Sequence, residues 1–509
     1  MSLASSVPPS GTARDWLNRW ATDKPDKISH LFADDSDNLT WGALRDEAAD
    51  IALRLSGLGI KKGESVALCL PNSKQAILCL FGALYGGFRV TPLNLVAGPE
   101  AMAYAVNHSQ ARFVLCGANQ RDLLNTALAG HSIDISILTV NEDGVSWPDD
   151  NKSLDLGDVD ASDPALLMYT SGTTGQPKGV VHTHSSLLAG GWTTMTAHLL
   201  SPQDRALCVL PYFHINGLCV TLMGPLVSGG SVIVSEKFSV SRFWDQCERF
   251  EATWFSVVPT IISHLLHGEI LPSTDVVERL RFARSASSAL PPEVQTAFEE
   301  RFQIPVVETM GLTETAAQIL SNPLPPGLRK TGSPGIAVGN DVTIISSDGA
   351  VAAGEQGEVA VRGPNVMLEY LDNAEATAET FTPSGWLLTG DLGYMDEDGY
   401  VFITGRRKEL IIKGGENIAP REIDDALHCH PDVIEAAAFP RDCSTFGQRV
   451  EAAVTLKPGS TVSKEDLLTI CRDRLGAFKC PDTIHFLDEL PKGPSGKIQR
   501  LKLAALLLR

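Results

Sequence analysis

The run Tyr169-Thr170-Ser171-Gly172-Thr173-Thr174-Gly175-Gln176-Pro177-Lys178-Gly179-Val180 gathers four Ser or Thr, three Gly and a lysine. Such a run can hold a polyphosphate. Glycine lets backbone N–H groups approach the anion, hydroxyls supply short hydrogen bonds, and Lys178 supplies charge. It is not a Walker loop, which needs Gly before its Lys and Ser or Thr after it. Here Pro177 precedes Lys178 and Gly179 follows. An apolar strand, Ala165 to Met168, leads in, and an apolar helix, Ser185 to Leu200, is expected next, its dipole adding to the anion site. The plain alternative is a flexible surface loop, which the ordered Pro-Lys-Gly ending disfavours.

The run resembles the phosphate-loop signature of the adenylate-forming superfamily: acyl-CoA synthetases, adenylation domains of peptide synthetases and beetle luciferases. Those enzymes join a carboxylate to AMP, release pyrophosphate, and mostly pass the acyl group to a thiol. The resemblance assigns nucleotide phosphate to Thr170, Ser171, Gly172, Thr173, Thr174 and Lys178. Further motifs follow in the family's order along nearly the whole chain. Glu308-Thr309-Met310-Gly311-Leu312-Thr313-Glu314 is similar to the pattern aromatic, Gly, any residue, Thr, Glu. By that resemblance Glu314 holds Mg²⁺ with Thr174, a hard cation wanting oxygen, and Thr313 donates to the α-phosphate. Met310 replaces the family aromatic, and its polarizable thioether covers the adenine face. Glu308, Thr309 and Ser287, the last within a small-residue loop from Ser285 to Leu290, complete the base site.

Trp386-Leu387-Leu388-Thr389-Gly390-Asp391 is similar to the ribose motif, so Asp391 accepts from both ribose hydroxyls and Arg406 is the second ribose contact. Lys408 matches the family's hinge, Gly415 lines the pantetheine tunnel, and Lys497, framed by Gly493-Pro494-Ser495-Gly496, matches the catalytic lysine. His214, in Pro211-Tyr212-Phe213-His214-Ile215-Asn216-Gly217, flanks the carboxylate pocket. Nearby Asn216 is polar where an alkyl pocket would prefer an apolar side chain, which hints at a short or functionalised acid. Each also has a plain structural reading: a packed histidine, a turn aspartate after glycine, a capping Thr-Glu pair, a basic tail.

Strands alternate with helices through Val66 to Cys116, which implies a parallel, doubly wound sheet. Turns at Asp348-Gly349, Pro364-Asn365 and Asp398-Gly399 punctuate short strands and suggest a small β-barrel-like subdomain. Ile411 to Leu427 opens a small α+β domain, with Pro420 fitting the first turn of a helix. The expected organisation is an α/β N-terminal domain, 1–405, a hinge, 406–408, and a mobile C-terminal domain, 409–509.

At 509 residues with 43% hydrophobic and 20% charged residues, the chain has globular composition and length for several subdomains. A formal net charge of −19 disfavours nucleic acid and anionic lipid as partners. The ten Cys form no Cys-x-x-Cys pair, and His428-Cys429-His430 lacks a second ligand pair, so a helix end is expected there rather than a metal site. No signal-peptide pattern or long apolar stretch is visible, and a cytoplasmic protein, alone or as a homodimer, is the expectation.

The implied reaction begins with a poor electrophile, since a carboxylate delocalises its charge. Attack on the α-phosphorus of ATP gives a mixed anhydride and pyrophosphate. Charge building on the equatorial oxygens would be stabilised by Lys497, Thr313 and the Mg²⁺ held by Glu314. Rotation about Lys408 would then withdraw Lys497 and bring Gly415 to the acyl-adenylate for CoA. Two rivals are a free-standing adenylation domain loading a carrier protein and a nucleotide-binding scaffold without activity. The first usually places Asp where this chain has His214; the second does not account for Lys497, Glu314, Asp391 and Lys178 together. The stretch from Lys330 to Gly339 is similar to the oxalate–CoA ligase branch, while alkyl and aromatic acids stay open. Replacing Lys497 with Ala should slow adenylation by roughly 10²–10³-fold, as loss of one oxyanion donor does, while thioester formation from supplied acyl-adenylate is spared. Equal losses in both half-reactions, measured separately, would contradict domain alternation.

Overall fold

Two large sheets carry the site. The computed structural model describes residues 7–34, 37–131, 134–148, 152–153, 155–170, 176–346, 349–443, 445–493 and 498–507. In an eight-stranded sheet, Pro164–Thr170, Arg89–Pro92, Ser65–Cys69, Phe113–Gly117 and Ser136–Asn141 lie parallel. A nine-stranded sheet has a parallel centre of Val306–Leu312, Phe282–Ser285, Trp254–Val257, Arg205–Cys208, Ser231–Val234 and Ile28–Phe32. Ser65–Cys69, Phe113–Gly117, Trp254–Val257 and Phe282–Ser285 are buried along their whole length. Strands covered on both faces have no solvent side, which is why they read as continuous apolar runs and not as alternations.

Helix Lys74–Gly86 shows how the crossovers are delimited. Ser73 accepts from the Ala76 N–H at 3.2 Å, and Gly87 ends the helix at φ 75. Helix His184–His198 touches strands of both sheets. Its Leu187, Leu188 and Trp192 join a core with Leu166, Leu218, Met223 and Trp254.

The stretch from Lys178 onward departs from the strand-loop-helix expectation. Lys178–Thr183 is a strand, paired antiparallel with Pro164–Thr170. The Gly and hydroxyl run therefore joins two antiparallel strands, and helix His184–His198 begins one strand later. That helix is capped by Thr183, whose hydroxyl accepts from the Ser186 N–H at 3.1 Å, so its dipole is not contiguous with the run. The physical reason is local: Val180, Val181 and Thr183 are β-branched, and pairing satisfies their backbone groups while burying their side chains. The apolar segment that follows Ile215 is helical throughout. It begins as a π-helix, Asn216–Met223, and continues as Gly224–Ser228. Wide turns of this kind recur at functional sites.

The small β subdomain is a five-stranded antiparallel sheet in the order Gly349–Ala350, Asp341–Ser346, Gly357–Arg362, Leu387–Met395, Val401–Arg406. From Ile411 onward another sheet packs under helices Pro420–Leu427 and Lys464–Lys479, around Ile411, Ile423, Leu427, Val450 and Val454. As expected, Pro420 opens its helix, with Ile423, Ala426 and Leu427 buried. Arg421 ties this part to the rest, donating to the Ile403 carbonyl at 2.7 Å and the Gly332 carbonyl at 3.2 Å. Ser263 donates to the Ile434 carbonyl at 2.9 Å. Among the described residues no helix is long and apolar enough to cross a membrane.

His30 links this core to pH. Its ring meets Trp41 and Phe81 edge-on, and burial pushes its imidazole down to about 3. An unfolded chain takes up that proton near the ordinary histidine value of about 6.5. The folded state is therefore favoured above that pH and loses this contribution as pH falls towards the lower value. His30→Phe keeps a ring there and should flatten the acid side of the stability curve by up to about 1.4 kcal/mol per pH unit. Urea midpoints between neutral pH and about pH 5 measure it; an unchanged slope would refute it.

Candidate active site

Parallel strands end on one edge of their sheet, and open α/β sheets bind ligands outside those carboxyl ends. Here the segments leaving Arg205–Cys208, Trp254–Val257, Phe282–Ser285 and Val306–Leu312 supply His214, Thr260, Ser287 and Thr313. A cavity lies beside them, with Ser287, Glu308, Thr309, Met310, Asp391 and Arg406 on its wall. Ile498 and Arg500 and the helix Pro420–Leu427 close its other side.

Asp391 and Arg406 are cross-strand partners in the small β sheet. The Arg406 Nε donates to Asp391 Oδ1 at 2.7 Å, and the buried carboxylate raises the arginine's affinity for its proton. The ion pair thus presents a carboxylate that is both held and charged, with oxygen capacity left for a ligand. Glu308 is 2% exposed; its Oε1 accepts from the Leu290 N–H at 3.1 Å, and burial raises its carboxyl above the usual range. Its Oε2 is buried and has no partner among the described residues, so a ligand N–H would satisfy it. Ser287 holds a left-handed backbone at φ 75 and accepts from Asn216 Nδ2 at 3.2 Å.

Glu314 sits in the short 3-10 turn Thr313–Thr315 that follows the strand Val306–Leu312. Its Oε1 accepts from the Tyr370 hydroxyl at 2.7 Å, and Lys178 Nζ stands 4.5 Å from the centre of the Tyr370 ring. The Thr313 carbonyl accepts from His182 Nε2 at 2.6 Å, which puts the proton on that nitrogen, and burial pushes His182 down to about 4. Among the described residues no three His, Cys, Asp or Glu converge as a metal cage. One fixed carboxylate completed by phosphate oxygens is the mode Mg²⁺ favours, and Glu314 fits it.

The sequence-derived residues therefore fall into groups. Ser287, Glu308, Thr309, Met310, Asp391 and Arg406 share the cavity wall. Among the described residues, His214, Thr313, Glu314, Lys178, Lys408 and Gly415 are not on that wall. Thr170 ends its strand, and His214 packs edge-on to Phe213 at 4.9 Å. Lys408 is exposed in the turn after Val401–Arg406, and Gly415, φ 88, is exposed between Ile411–Lys413 and Glu416–Ile418. Ser171, Gly172, Thr173, Thr174 and Lys497 lie outside the described residues. The sequence reading did not single out His182, Tyr370 or Arg284. For Arg284 the signal was present, a charged residue inside the apolar strand Phe282–Ser285.

This geometry agrees with what the chain is similar to. The model of the AMP-binding enzyme family matches residues 17–371, and that of the AMP-binding enzyme C-terminal domain matches residues 422–497. The chain belongs to this family, within the adenylate-forming superfamily. A sulfoacetate–CoA ligase of Cupriavidus necator is 45% identical over 94% of this chain and 94% of its own length. An oxalate–CoA ligase of Arabidopsis thaliana is 35% identical over 96% of this chain and 98% of its own. The crystal structure of ATP-bound MatB from Rhodopseudomonas palustris superposes with a TM-score of 0.89 at 29% identity, covering 97% of this chain and 99% of that one.

Gly311 sets the spacing of the hairpin that carries Met310 and Thr313. A Cβ there would lie 1.6 Å from the Ala317 carbonyl oxygen across the hairpin. Gly311→Ala must part the two strands and should cost at least about 1–3 kcal/mol. A lower melting temperature and weaker AMP binding by calorimetry are expected; a variant matching its parent in both would show that the backbone yields freely.

Proposed function

We propose that this chain, an ATP-dependent, AMP-forming acid–CoA ligase, takes a short acid bearing a second anionic group, and that residues 1–405 and 409–509 alternate about the hinge 406–408. The two relatives above are named for sulfoacetate and oxalate, acids with two ionised groups each, and that chemistry supports the acid class. The observation that carries the two-lobed reading is the shared cavity. Ile498, the residue after Lys497, lines the same cavity as Asp391, Arg406 and Glu308 from the opposite side, whereas Gly415 stands exposed outside it. That is the arrangement adenylation requires.

In this reading the Asp391 carboxylate, fixed by Arg406, accepts from the ribose hydroxyls, and Glu308 Oε2 accepts from the adenine amine. Met310 covers the base. Thr313 and Lys497 stabilise charge on the α-phosphate, and Thr170, Ser171, Gly172, Thr173, Thr174 and Lys178 hold the outer phosphates. Mg²⁺, when bound to Glu314 and Thr174, would neutralise phosphate charge. His214 orients the acid's carboxylate, and Gly415 serves CoA after the lobe turns on Lys408. The chain is further proposed to work in the cytoplasm, where its ten free thiols would persist, and to assemble as a homodimer.

Pyrophosphate release measured with sulfoacetate, oxalate, alkyl and aryl acids, with and without CoA, tests the proposal. Release with the dianionic acids, and acyl-CoA only when CoA is present, is expected. Release confined to alkyl or aryl acids would overturn the acid class.

A further inference from the structure

Arg284 is 1% exposed and stands on the fully buried strand Phe282–Ser285. Its Nε donates to Gln318 Oε1 at 3.2 Å, and one terminal nitrogen donates to Asn216 Oδ1 at 2.8 Å and Ser256 Oγ at 3.0 Å. All three acceptors are neutral. Among the described residues no carboxylate pairs with Arg284, and its other terminal nitrogen has no hydrogen-bond partner. A buried guanidinium elsewhere in the chain is handled differently: Arg500 pairs with Asp424 at 2.6 Å and lies 3.6 Å from Glu409. Burial pushes Arg284 down to about 9, which leaves it protonated at neutral pH.

A charge held in the interior without a counter-ion is costly by several kcal/mol; hydrogen bonds to neutral oxygens offset part of that cost, and an anion brought to it offsets more. Asn216 joins Arg284 to the site. Its amide oxygen accepts from Arg284, while its amide nitrogen donates to Ser287 on the cavity wall. Asn216 is also two residues beyond His214 and opens the π-helix. The guanidinium therefore lies behind the segment proposed to orient the acid's reacting carboxylate.

We propose that Arg284 is the specificity-determining cation of the acyl pocket, pairing with the distal sulfonate or carboxylate of a short dianionic acid. This rests on the acid class proposed above and names the group that selects it. Asn216, Ser256 and Gln318 turn oxygens towards the guanidinium, hold its plane, and leave a terminal nitrogen for the ligand. An uncharged alkyl end would leave the cation buried and unpaired. Discrimination thus comes from what the wrong substrate fails to neutralise.

The test compares pyrophosphate release for sulfoacetate, malonate and oxalate with that for propionate and butyrate, in the parent, Arg284→Gln, Arg284→Lys and Asn216→Asp. Sulfoacetate against malonate separates a sulfonate site from a carboxylate site. Asn216→Asp keeps volume and arginine but supplies an internal counter-ion, so it decides the matter if Arg284→Gln does not fold by circular dichroism. The parent should prefer dianions in kcat/KM. Both Arg284→Gln and Asn216→Asp should cut that preference by roughly 10–100-fold, as loss of a charged hydrogen bond does, and Arg284→Lys should restore part of it. A parent without dianion preference would overturn the acid class itself. A parent preference that survives in the folded variants would overturn the role of Arg284 alone.

Discussion

A parallel strand cannot turn directly into its neighbour; it must cross over and re-enter, so every carboxyl end collects on one edge of the sheet. The nine-stranded sheet applies that constraint to Arg205–Cys208, Trp254–Val257, Phe282–Ser285 and Val306–Leu312 in succession. Residues far apart in sequence thereby leave their strands side by side, and Asn216, Ser287 and Thr313 come within one neighbourhood without any of them being near another along the chain. Glycine at Gly311, where the neighbouring hairpin leaves no room for a Cβ, keeps the last of these ends in place.

Electrostatics set the second constraint. A chain of net charge −19 offers little long-range attraction to an anionic substrate. Its positive groups near the site are consequently local and individually oriented: Arg406 against Asp391, Lys178 over the Tyr370 ring, Arg284 among neutral oxygens. Each is held by short contacts that survive screening by salt better than a diffuse surface field would. Affinity then depends on fit at a few atoms rather than on net charge.

Much of this was legible in the residues alone. Continuous apolar runs such as Val66 to Cys69 indicated strands covered on both faces, while Asp391 and Met310 were singled out only by resemblance to family motifs, and both line the same cavity. What escaped depends on pairing across long separations. Tyr370 meets Glu314, 56 residues away, because the strand Glu369–Tyr370 adds to Lys178–Thr183, and nothing within either segment announces the other. The strand Lys178–Thr183 itself was hidden by its Gly and hydroxyl neighbours, whose composition reads as loop. Arg284 was visible as an anomaly but not as a site, since only its missing carboxylate gives it meaning.

The contacts of Arg421 bear on the lobe alternation proposed above. Arg421 binds main-chain carbonyls of Ile403 and Gly332, and Ser263 binds that of Ile434, so no oppositely charged side chain is stranded when these bonds open. Water can take each partner's place on release, and main-chain oxygens recur at every residue of the facing surface. If the lobes alternate as proposed, main-chain bonds of this kind can re-form at other positions with similar strength, while the Arg474–Glu293 ion pair, 3.9 Å across the same boundary, would have to part with them.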